Sequence, residues 1–288
     1  MRVLYATDGG PAARDAGRLI ELLADREATE VVAASVVATG VPELRHLSAA
    51  FQSDDARRQV AKDAVDEAVA TLGAQDITVD GVVREGRPAA TLLELASEHG
   101  VELIVVGSGM KWFGGRLLGS VSTGLLHTAR TSVLVVHTAP SGVPGPVVVG
   151  VDGSDHAARA LDVATAFLDP ERCAVTVVSA AKLMAPALMP PYTGYATVAP
   201  SPEIEAEVLA PSREHADRAA ALLRGRGFAA ETAVMLGHPV KRLLAEVDDV
   251  GAALVVVGSR GLDALDRAAV GSVSDQVVRY APATLVGR

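Results

Sequence analysis

Runs of apolar residues alternate along the whole chain with stretches in which apolar and charged residues are mixed. Runs such as Leu103-Ile104-Val105-Val106 are typical of strands buried on both faces of a parallel sheet. Residues 57–72 instead place apolar side chains at three- and four-residue spacing, which predicts an amphipathic helix that covers the sheet. In the first half, the apolar runs predict strands at about 2–6, 30–37, 77–83, 102–106 and 132–136. Five strands and four helices in each half predict a doubly wound α/β fold.

The chain carries this pattern twice. The eight residues from Val3 line up with those from Val147, 144 positions later, and Gly119-Ser120-Val121-Ser122 matches Gly271-Ser272-Val273-Ser274, 152 positions later. A repeat of this length indicates a duplicated domain, because solenoid repeats are several times shorter. Residues 138–146 contain three prolines and two glycines, which disfavour helix and strand, so we interpret them as a linker. The sequence therefore predicts two domains, at 1–140 and 145–288.

Residues 181–211 interrupt the second copy of the pattern. They hold six of the fifteen prolines of the chain, which predicts a long loop. A functional lid and a disordered insertion are both compatible with this composition.

Composition and charge limit the function classes. The chain has 288 residues, of which 49% are hydrophobic and 21% charged, which is typical of a globular protein. Its net charge of -9 disfavours broad electrostatic binding to nucleic acid or to an anionic membrane, so an anionic ligand needs a local site. The single cysteine, Cys173, excludes an internal disulfide and a thiolate metal cluster. Because the sequence has neither a long apolar run nor a cleavable leader, we expect a cytoplasmic protein.

The first candidate feature is the turn after the first strand of each half. It reads Asp8-Gly9-Gly10-Pro11 in the first half and Asp152-Gly153-Ser154-Asp155 in the second. Ligands of an open parallel sheet bind at the carboxyl ends of the strands, where these turns are expected. The carboxylates of Asp8 and Asp152 are therefore candidates to accept hydrogen bonds from ligand hydroxyls, or they only form the turn.

The second feature is the glycine-rich loop after the fourth strand. In the second half it runs Gly258-Ser259-Arg260-Gly261, then nine residues, then Gly271-Ser272-Val273 at the start of the last helix. Glycines expose backbone N–H groups and a helix N-terminus attracts anions, so the pattern predicts a phosphate-binding loop. Ordinary loop glycines followed by a serine cap are the alternative. The first half repeats the pattern, one residue shorter, as Gly107-Ser108-Gly109 and Gly119-Ser120-Val121.

The two loops differ in charge. The nine-residue segment carries Lys111 and Arg116 in the first half, but two acidic residues and one arginine in the second, namely Asp263, Asp266 and Arg267. Electrostatics therefore favour phosphate in the first half, whereas loop length favours the second, and the sequence leaves both open.

No catalytic motif accompanies these features. The sequence lacks a Gly-x-Ser-x-Gly elbow, a His-Glu-x-x-His pair and a Walker A lysine, and its seven histidines are scattered. We therefore expect neither a dedicated enzyme nor a metal site.

The Asp-Gly-Ser turn, the Gly237-His238-Pro239 sequence and the Gly-two-Gly-nine-Gly-Ser spacing together resemble the universal stress protein family in its tandem form. The resemblance covers nearly the whole chain outside the linker and residues 181–211. It implies, in each half, a five-stranded parallel sheet of order 3-2-1-4-5 of the adenine nucleotide alpha hydrolase-like kind. It also implies an adenine nucleotide site and pairing through the last strand, here as an internal pseudo-dimer, with a homodimer left open.

By motif position, the resemblance implies that Asp8 and Asp152 bind ribose and that Val36 and Ala180, at the ends of the second strands, lie beside adenine. The phosphate-binding residues would be Gly107, Gly109, Gly119, Ser120 and Val121 in the first half and Gly258, Gly261, Gly271, Ser272 and Val273 in the second. The second half matches the motif better, because the first half has the shorter loop and Gly10 in place of serine.

The expected function is that of an ATP-binding regulatory stress protein, with or without Mg²⁺, which acts through an unidentified protein partner and binds neither nucleic acid nor membrane. A module of the same fold without nucleotide and a slow ATPase are the alternatives.

Overall fold

The computed structural model describes residues 1–39, 53–112, 115–140, 144–182, 201–261 and 270–288, with backbone alone for 110–112 and 115–117. The first half contains β1 (Arg2–Ala6), α1 (Pro11–Leu23), β2 (Glu30–Ala38), α2 (Asp54–Gly73), β3 (Thr78–Gly86), α3 (Pro88–Glu98), β4 (Leu103–Gly107), β5 (Met110–Trp112), β6 (Gly115–Leu117), α4 (Ser120–Thr128) and β7 (Ser132–Val136). The second half contains β8 (Val147–Gly150), α5 (Asp155–Phe167), β9 (Ala174–Ala181), α6 (Pro202–Gly225), β10 (Ala229–Leu236), α7 (Pro239–Val250), β11 (Leu254–Gly258), α8 (Ser272–Tyr280) and β12 (Ala283–Gly287). None of the helices in these ranges is both long and apolar enough to cross a membrane.

The five strands predicted in the first half are all present. The helix predicted at 57–72 begins earlier, at Asp54, because the Ser53 hydroxyl accepts a hydrogen bond from the Ala56 N–H at 3.3 Å and caps the helix. The short hairpin of β5 and β6 was not predicted, since three-residue strands are too short to show a periodicity.

The prediction of a loop over 181–211 is wrong at both ends of that segment. Ala181 is the last residue of β9, and α6 begins at Pro202. Ser201 caps α6, and Pro202 occupies the first helical turn, where a missing N–H costs nothing. Pro211 lies inside α6, so proline content overstated the loop. Residues 183–200, and with them the lid or insertion prediction, lie outside the described residues.

All ten long strands form one sheet, in the order β10-β9-β8-β11-β12-β7-β4-β1-β2-β3. Each half has the order 3-2-1-4-5 with parallel strands, which confirms the predicted fold class. The one antiparallel junction joins β7 to β12, with Leu134 opposite Leu285. The two halves therefore meet through their last strands. The predicted linker has no helix or strand at 138–140 and 144–146, whereas the exact domain limits stay a prediction.

Two apolar layers cover the two faces of the sheet, and each contains residues from both halves. One layer holds α1, α2, α5 and α6, and includes Ile20 and Phe167, both fully buried. The other holds α3, α4, α7 and α8, and includes Leu125 and Val277. The ends of α1 and α5 also exchange backbone hydrogen bonds, from the Asp25 N–H to the Phe167 carbonyl at 2.8 Å and from the Asp169 N–H to the Leu23 carbonyl at 2.9 Å. The core is therefore continuous between the halves.

Gly107 and Gly258 end β4 and β11 beneath the first turns of α1 and α5. A Cβ on Gly107 would lie 2.3 Å from the Ala12 carbonyl oxygen, and one on Gly258 would lie 2.7 Å from the Ala157 nitrogen. The atoms that such a Cβ would meet belong to the helix backbone and cannot move aside as a flexible side chain can. Only glycine therefore allows the helix to pack this close to the strand. These two glycines thus have a packing role that needs no ligand.

We expect Gly107→Ala and Gly258→Ala each to lower the free energy of unfolding by about 1–3 kcal/mol, because α1 or α5 must move away from the sheet. Gly73→Ala is the matched control, since that glycine ends α2 with no atom within 4 Å of its would-be Cβ. It should leave stability unchanged or raise it by up to about 1 kcal/mol. Urea unfolding followed by circular dichroism measures all three, and wild-type stability in Gly258→Ala would contradict the packing role.

Cys173 lies in the core with 2% of its surface exposed, and burial raises the pKa of its thiol to about 12. The reactive thiolate is therefore nearly absent near neutral pH. We expect an aromatic disulfide reagent to leave the native protein unlabelled and to label one thiol per chain in urea. Rapid labelling of the native protein would show that α1 and α5 separate in solution.

Candidate functional site

The predicted turns and glycine loops meet at the carboxyl edge of the sheet. β1 pairs in parallel with β4, and β8 with β11, so the segments that follow each pair are neighbours. In the second half the contact is close, because a Cβ on Gly261 would lie 2.7 Å from Asp152 Oδ2. The Ser154 hydroxyl also donates to the Arg260 carbonyl at 3.3 Å. We call the space between the β8 turn, the start of the β11 loop at 258–261 and the start of α8 the second crevice, and its first-half equivalent the first crevice.

The two aspartates form the turns. The Asp8 carboxylate accepts from the Gly10 N–H at 2.8 Å, and the Asp152 carboxylate accepts from the Ser154 N–H at 3.0 Å. Gly9 and Gly153 have φ values of 72° and 83°, a left-handed conformation that favours glycine. Each carboxylate therefore uses one oxygen, Oδ1, to hold the turn. The second oxygen of Asp152 lies against Gly261, inside the crevice.

Two of the predicted phosphate donors are engaged within their own loops. The Gly119 N–H donates to the Ser108 hydroxyl at 3.2 Å, and the Gly271 N–H donates to the Ser259 carbonyl at 2.7 Å. Ser122 and Ser274, both buried, hold the same loops through hydrogen bonds to the Gly119 and Gly271 carbonyls, each at 3.0 Å. The sequence analysis missed these two serines, although the repeated Gly-Ser-Val-Ser was a signal for them.

The first turns of α4 and α8 carry the other predicted phosphate donors, namely Ser120, Val121, Ser272 and Val273. Neither helix has a side-chain cap from the residues described, in contrast to α5, where the Ser154 hydroxyl accepts from the Ala157 N–H at 3.2 Å. Uncapped N–H groups and the positive end of the helix dipole form an anion-binding environment. Of these two helices, α4 begins at the first crevice and α8 at the second.

The predicted adenine neighbours lie near the carboxyl ends of β2 and β9. Val36 and Ala180 are half-buried, and Val36 packs against the core layer that holds α3 and α4. Gly109 follows β4, where a Cβ would lie 3.0 Å from the Ala12 Cβ. The predicted charge difference between the loops stays a prediction, because the structure does not describe the side chains that produce it. These are Lys111, Arg116, Asp263, Asp266 and Arg267.

His156, in the first turn of α5, is a second-crevice residue that the sequence analysis did not select. Its Nδ1 lies 2.9 Å from the Ser259 hydroxyl and 3.0 Å from an Arg159 guanidinium nitrogen. Burial lowers the pKa of His156, and the positive charges of Arg159 and Arg260 lower it further. Its position two residues after the Asp-Gly-Ser turn was the only signal.

The two crevices are therefore built differently. The first half has Gly10 where the second has Ser154, and Ala12 where the second has His156. Both side-chain bonds that fasten the β11 loop to α5 are thus specific to the second half.

Two cavities among the described residues lie away from both glycine loops. One, of about 360 Å³, lies between α1 and α2 beside Tyr5 and the Arg14–Glu67 ion pair, and the other, of about 680 Å³, lies between α2 and β3. In the described ranges, no three His, Cys, Asp or Glu side chains come together as metal ligands.

Comparison with known proteins agrees with this architecture. The family model of the universal stress proteins matches residues 1–137 and again residues 145–286. A universal stress protein of Mycobacterium tuberculosis, Rv2623, is 34% identical over 220 residues, which are 74% of this chain and 69% of that protein. A second from the same organism, Rv2005c, is 30% identical over 236 residues, or 79% and 75% of the two chains.

Solved structures share the fold over the whole chain. The crystal structure of a universal stress protein from Archaeoglobus fulgidus matches all of this chain and 98% of its own, with a TM-score of 0.69 at 19% identity. A functionally unknown protein from Pseudomonas aeruginosa matches 99% of this chain and 91% of its own, with a TM-score of 0.62 at 15% identity. Since the family model matches both halves and the curated relatives align across them, the chain belongs to the universal stress protein family, in its tandem two-domain form.

Proposed function

We propose that this chain binds an adenine nucleotide, ATP with or without Mg²⁺, in the second crevice and acts as a regulatory stress protein rather than as a dedicated enzyme. The observation that supports this most is the contact between Asp152 and Gly261. It sets a carboxylate oxygen, which accepts from ribose hydroxyls, directly beside the loop that leads to the uncapped start of α8.

The proposed nucleotide follows the edge of the sheet. Adenine lies beside Ala180 at the end of β9, the ribose hydroxyls bond to Asp152, and the phosphates reach the first turn of α8 at Ser272 and Val273. An anion there gains from the helix dipole and from backbone N–H groups. Gly258 and Gly271 then act by shaping the loop, since one packs on α5 and the other bonds to Ser259.

The first crevice has equivalent residues but a looser construction. Asp8 and Val36 stand where Asp152 and Ala180 stand, and the loop residues Gly107, Gly109, Gly119, Ser120 and Val121 have the same proposed roles. Because Gly10 and Ala12 cannot fasten the loop to α1, we expect weaker binding in the first half.

A regulatory role is proposed because the described part of the second crevice brings no lysine to the phosphates and because its carboxylate, Asp152, is assigned to the turn and to ribose rather than to the activation of water. Asp152 already holds the turn with one oxygen. Phosphoryl transfer depends on positioned charge, usually a lysine or arginine with a metal ion. Nucleotide binding would instead change the surface around the second crevice that a protein partner contacts.

A module that binds no nucleotide is the second candidate. It is favoured by the internal hydrogen bonds of the Gly119 and Gly271 N–H groups, which complete both loops without a ligand.

We expect MgATP to bind the purified protein saturably in isothermal titration calorimetry, with one site of higher affinity per chain. The reason is that the side chains of Ser154 and His156 join the β11 loop to α5 in the second crevice, whereas Gly10 and Ala12 stand at the equivalent positions of the first. Absence of heat and of saturation at millimolar MgATP would reject the proposal and leave the module without nucleotide.

The variants Gly261→Glu and Gly271→Glu are expected to abolish binding in the second crevice. A carboxylate at either position fills the loop, and at 261 it also meets Asp152, so it repels phosphate and blocks ribose. Gly225→Glu is the control, because that glycine ends α6 with no atom within 4 Å of its would-be Cβ. The stoichiometry with MgATP should fall by one site in the first two variants only, and an unchanged stoichiometry would place the site elsewhere.

A further inference from the structure

His156 is the point at which α5, the β11 loop and the basic residues of the second crevice meet. Its Nδ1 lies between the Ser259 hydroxyl, at 2.9 Å, and the Arg159 guanidinium, at 3.0 Å. Ser259 follows Gly258 and accepts the Gly271 N–H through its carbonyl, so His156 contacts the residue that organises the loop.

The contact with Arg159 fixes the protonation of His156 in the protein without ligand. A guanidinium only donates hydrogen bonds, so Nδ1 must accept and carry no proton. The ring is then neutral, with its single proton on Nε2. Protonation of Nδ1 requires Arg159 to move away.

The charges around His156 act in the same direction. Arg159 on its own helix, Arg260 on the loop and Arg288 after β12 all oppose a positive imidazole, and burial opposes it more strongly. Asp155 is the neighbouring charge that favours it. The start of α5 adds the positive end of a helix dipole.

A phosphoryl group in the crevice reverses this balance. Its negative charge attracts the Arg159 guanidinium away from Nδ1 and at the same time stabilises a positive imidazole. Nδ1 then binds a proton from solvent and donates a hydrogen bond to the Ser259 oxygen, so the Ser259 hydroxyl can donate in turn to a phosphate oxygen.

We propose that His156 takes up a proton when a phosphoryl group enters the second crevice, so that this half of the chain binds phosphate more tightly as the pH falls. The inference rests on the proposed function and adds proton-linked regulation to the same site. The first crevice lacks the device, because Ala12 replaces His156.

The test is calorimetric titration with MgATP at saturating Mg²⁺, at about pH 6 and about pH 8, on either side of the ordinary histidine pKa. Each pH is measured in two buffers of different ionisation enthalpy, which reports the protons taken up. We expect wild-type affinity to rise toward pH 6, by at most about tenfold for each unit by which binding raises the pKa of His156. The affinity rises as the pH falls because the protein with bound MgATP holds one more proton than the free protein.

His156→Gln keeps a hydrogen-bonding group next to Ser259 but has no proton to gain, so its affinity and proton uptake should not change over this pH range. His127→Gln, at an exposed position on α4, is the control and should behave as the wild type. The imidazole NMR signal of His156 in the wild type gives a reading that needs no variant. It should move from the neutral to the protonated position when MgATP is added at about pH 7.

Saturable binding with equal proton uptake in wild type and His156→Gln, or an imidazole signal that does not move, would overturn this inference and leave the proposed function standing. No saturation by MgATP at either pH would overturn both.

Discussion

The antiparallel pairing of β7 with β12 determines how everything else in the molecule is arranged. Within each half the strands of the ten-stranded sheet are parallel, so at this junction the strands of the second half run opposite to those of the first. The carboxyl ends of the two sets of strands consequently lie at opposite edges of one continuous sheet. The pairing also buries both last strands completely, which removes the edges that two separate domains would expose.

The same junction connects each crevice to the opposite half. The buried His137 ring, just after β7, lies 2.8 Å from the Ser108 carbonyl of the first loop and 2.8 Å from the Val278 carbonyl of α8. Arg288, at the equivalent place after β12, donates to the Leu126 carbonyl of α4. Leu126 and Val278 are themselves equivalent, 152 positions apart, so the two links are related by the internal symmetry. The loop of the first crevice therefore rests on a helix whose other end begins the second crevice.

Much of this fold could be predicted from the sequence, because buried parallel strands require long apolar runs and because the duplication supplied each signal twice. The features that escaped prediction depend on contacts that periodicity does not record. Pro202 and Pro211 suggested a loop, yet a capping serine and a tolerated proline position allow helix there. His156 appeared as one scattered histidine, since its contact with Ser259 joins residues 103 positions apart.

The glycines of the family motif show why the site was harder to predict than the fold. Gly153 is needed for its left-handed φ, Gly258 for the approach of α5, and Gly271 for its closeness to the Ser259 carbonyl oxygen, which a Cβ would approach to 3.3 Å. Each of these reasons holds without any ligand, so the motif identifies the fold more strongly than it identifies a nucleotide. Gly261 differs from these glycines. A side chain there would meet Asp152 Oδ2, a carboxylate oxygen that the turn does not use. This approach leaves space beside an unused acceptor, which packing alone does not require. The case for a ligand therefore depends more on Gly261, Asp152 and His156 than on the number of glycines in the loop.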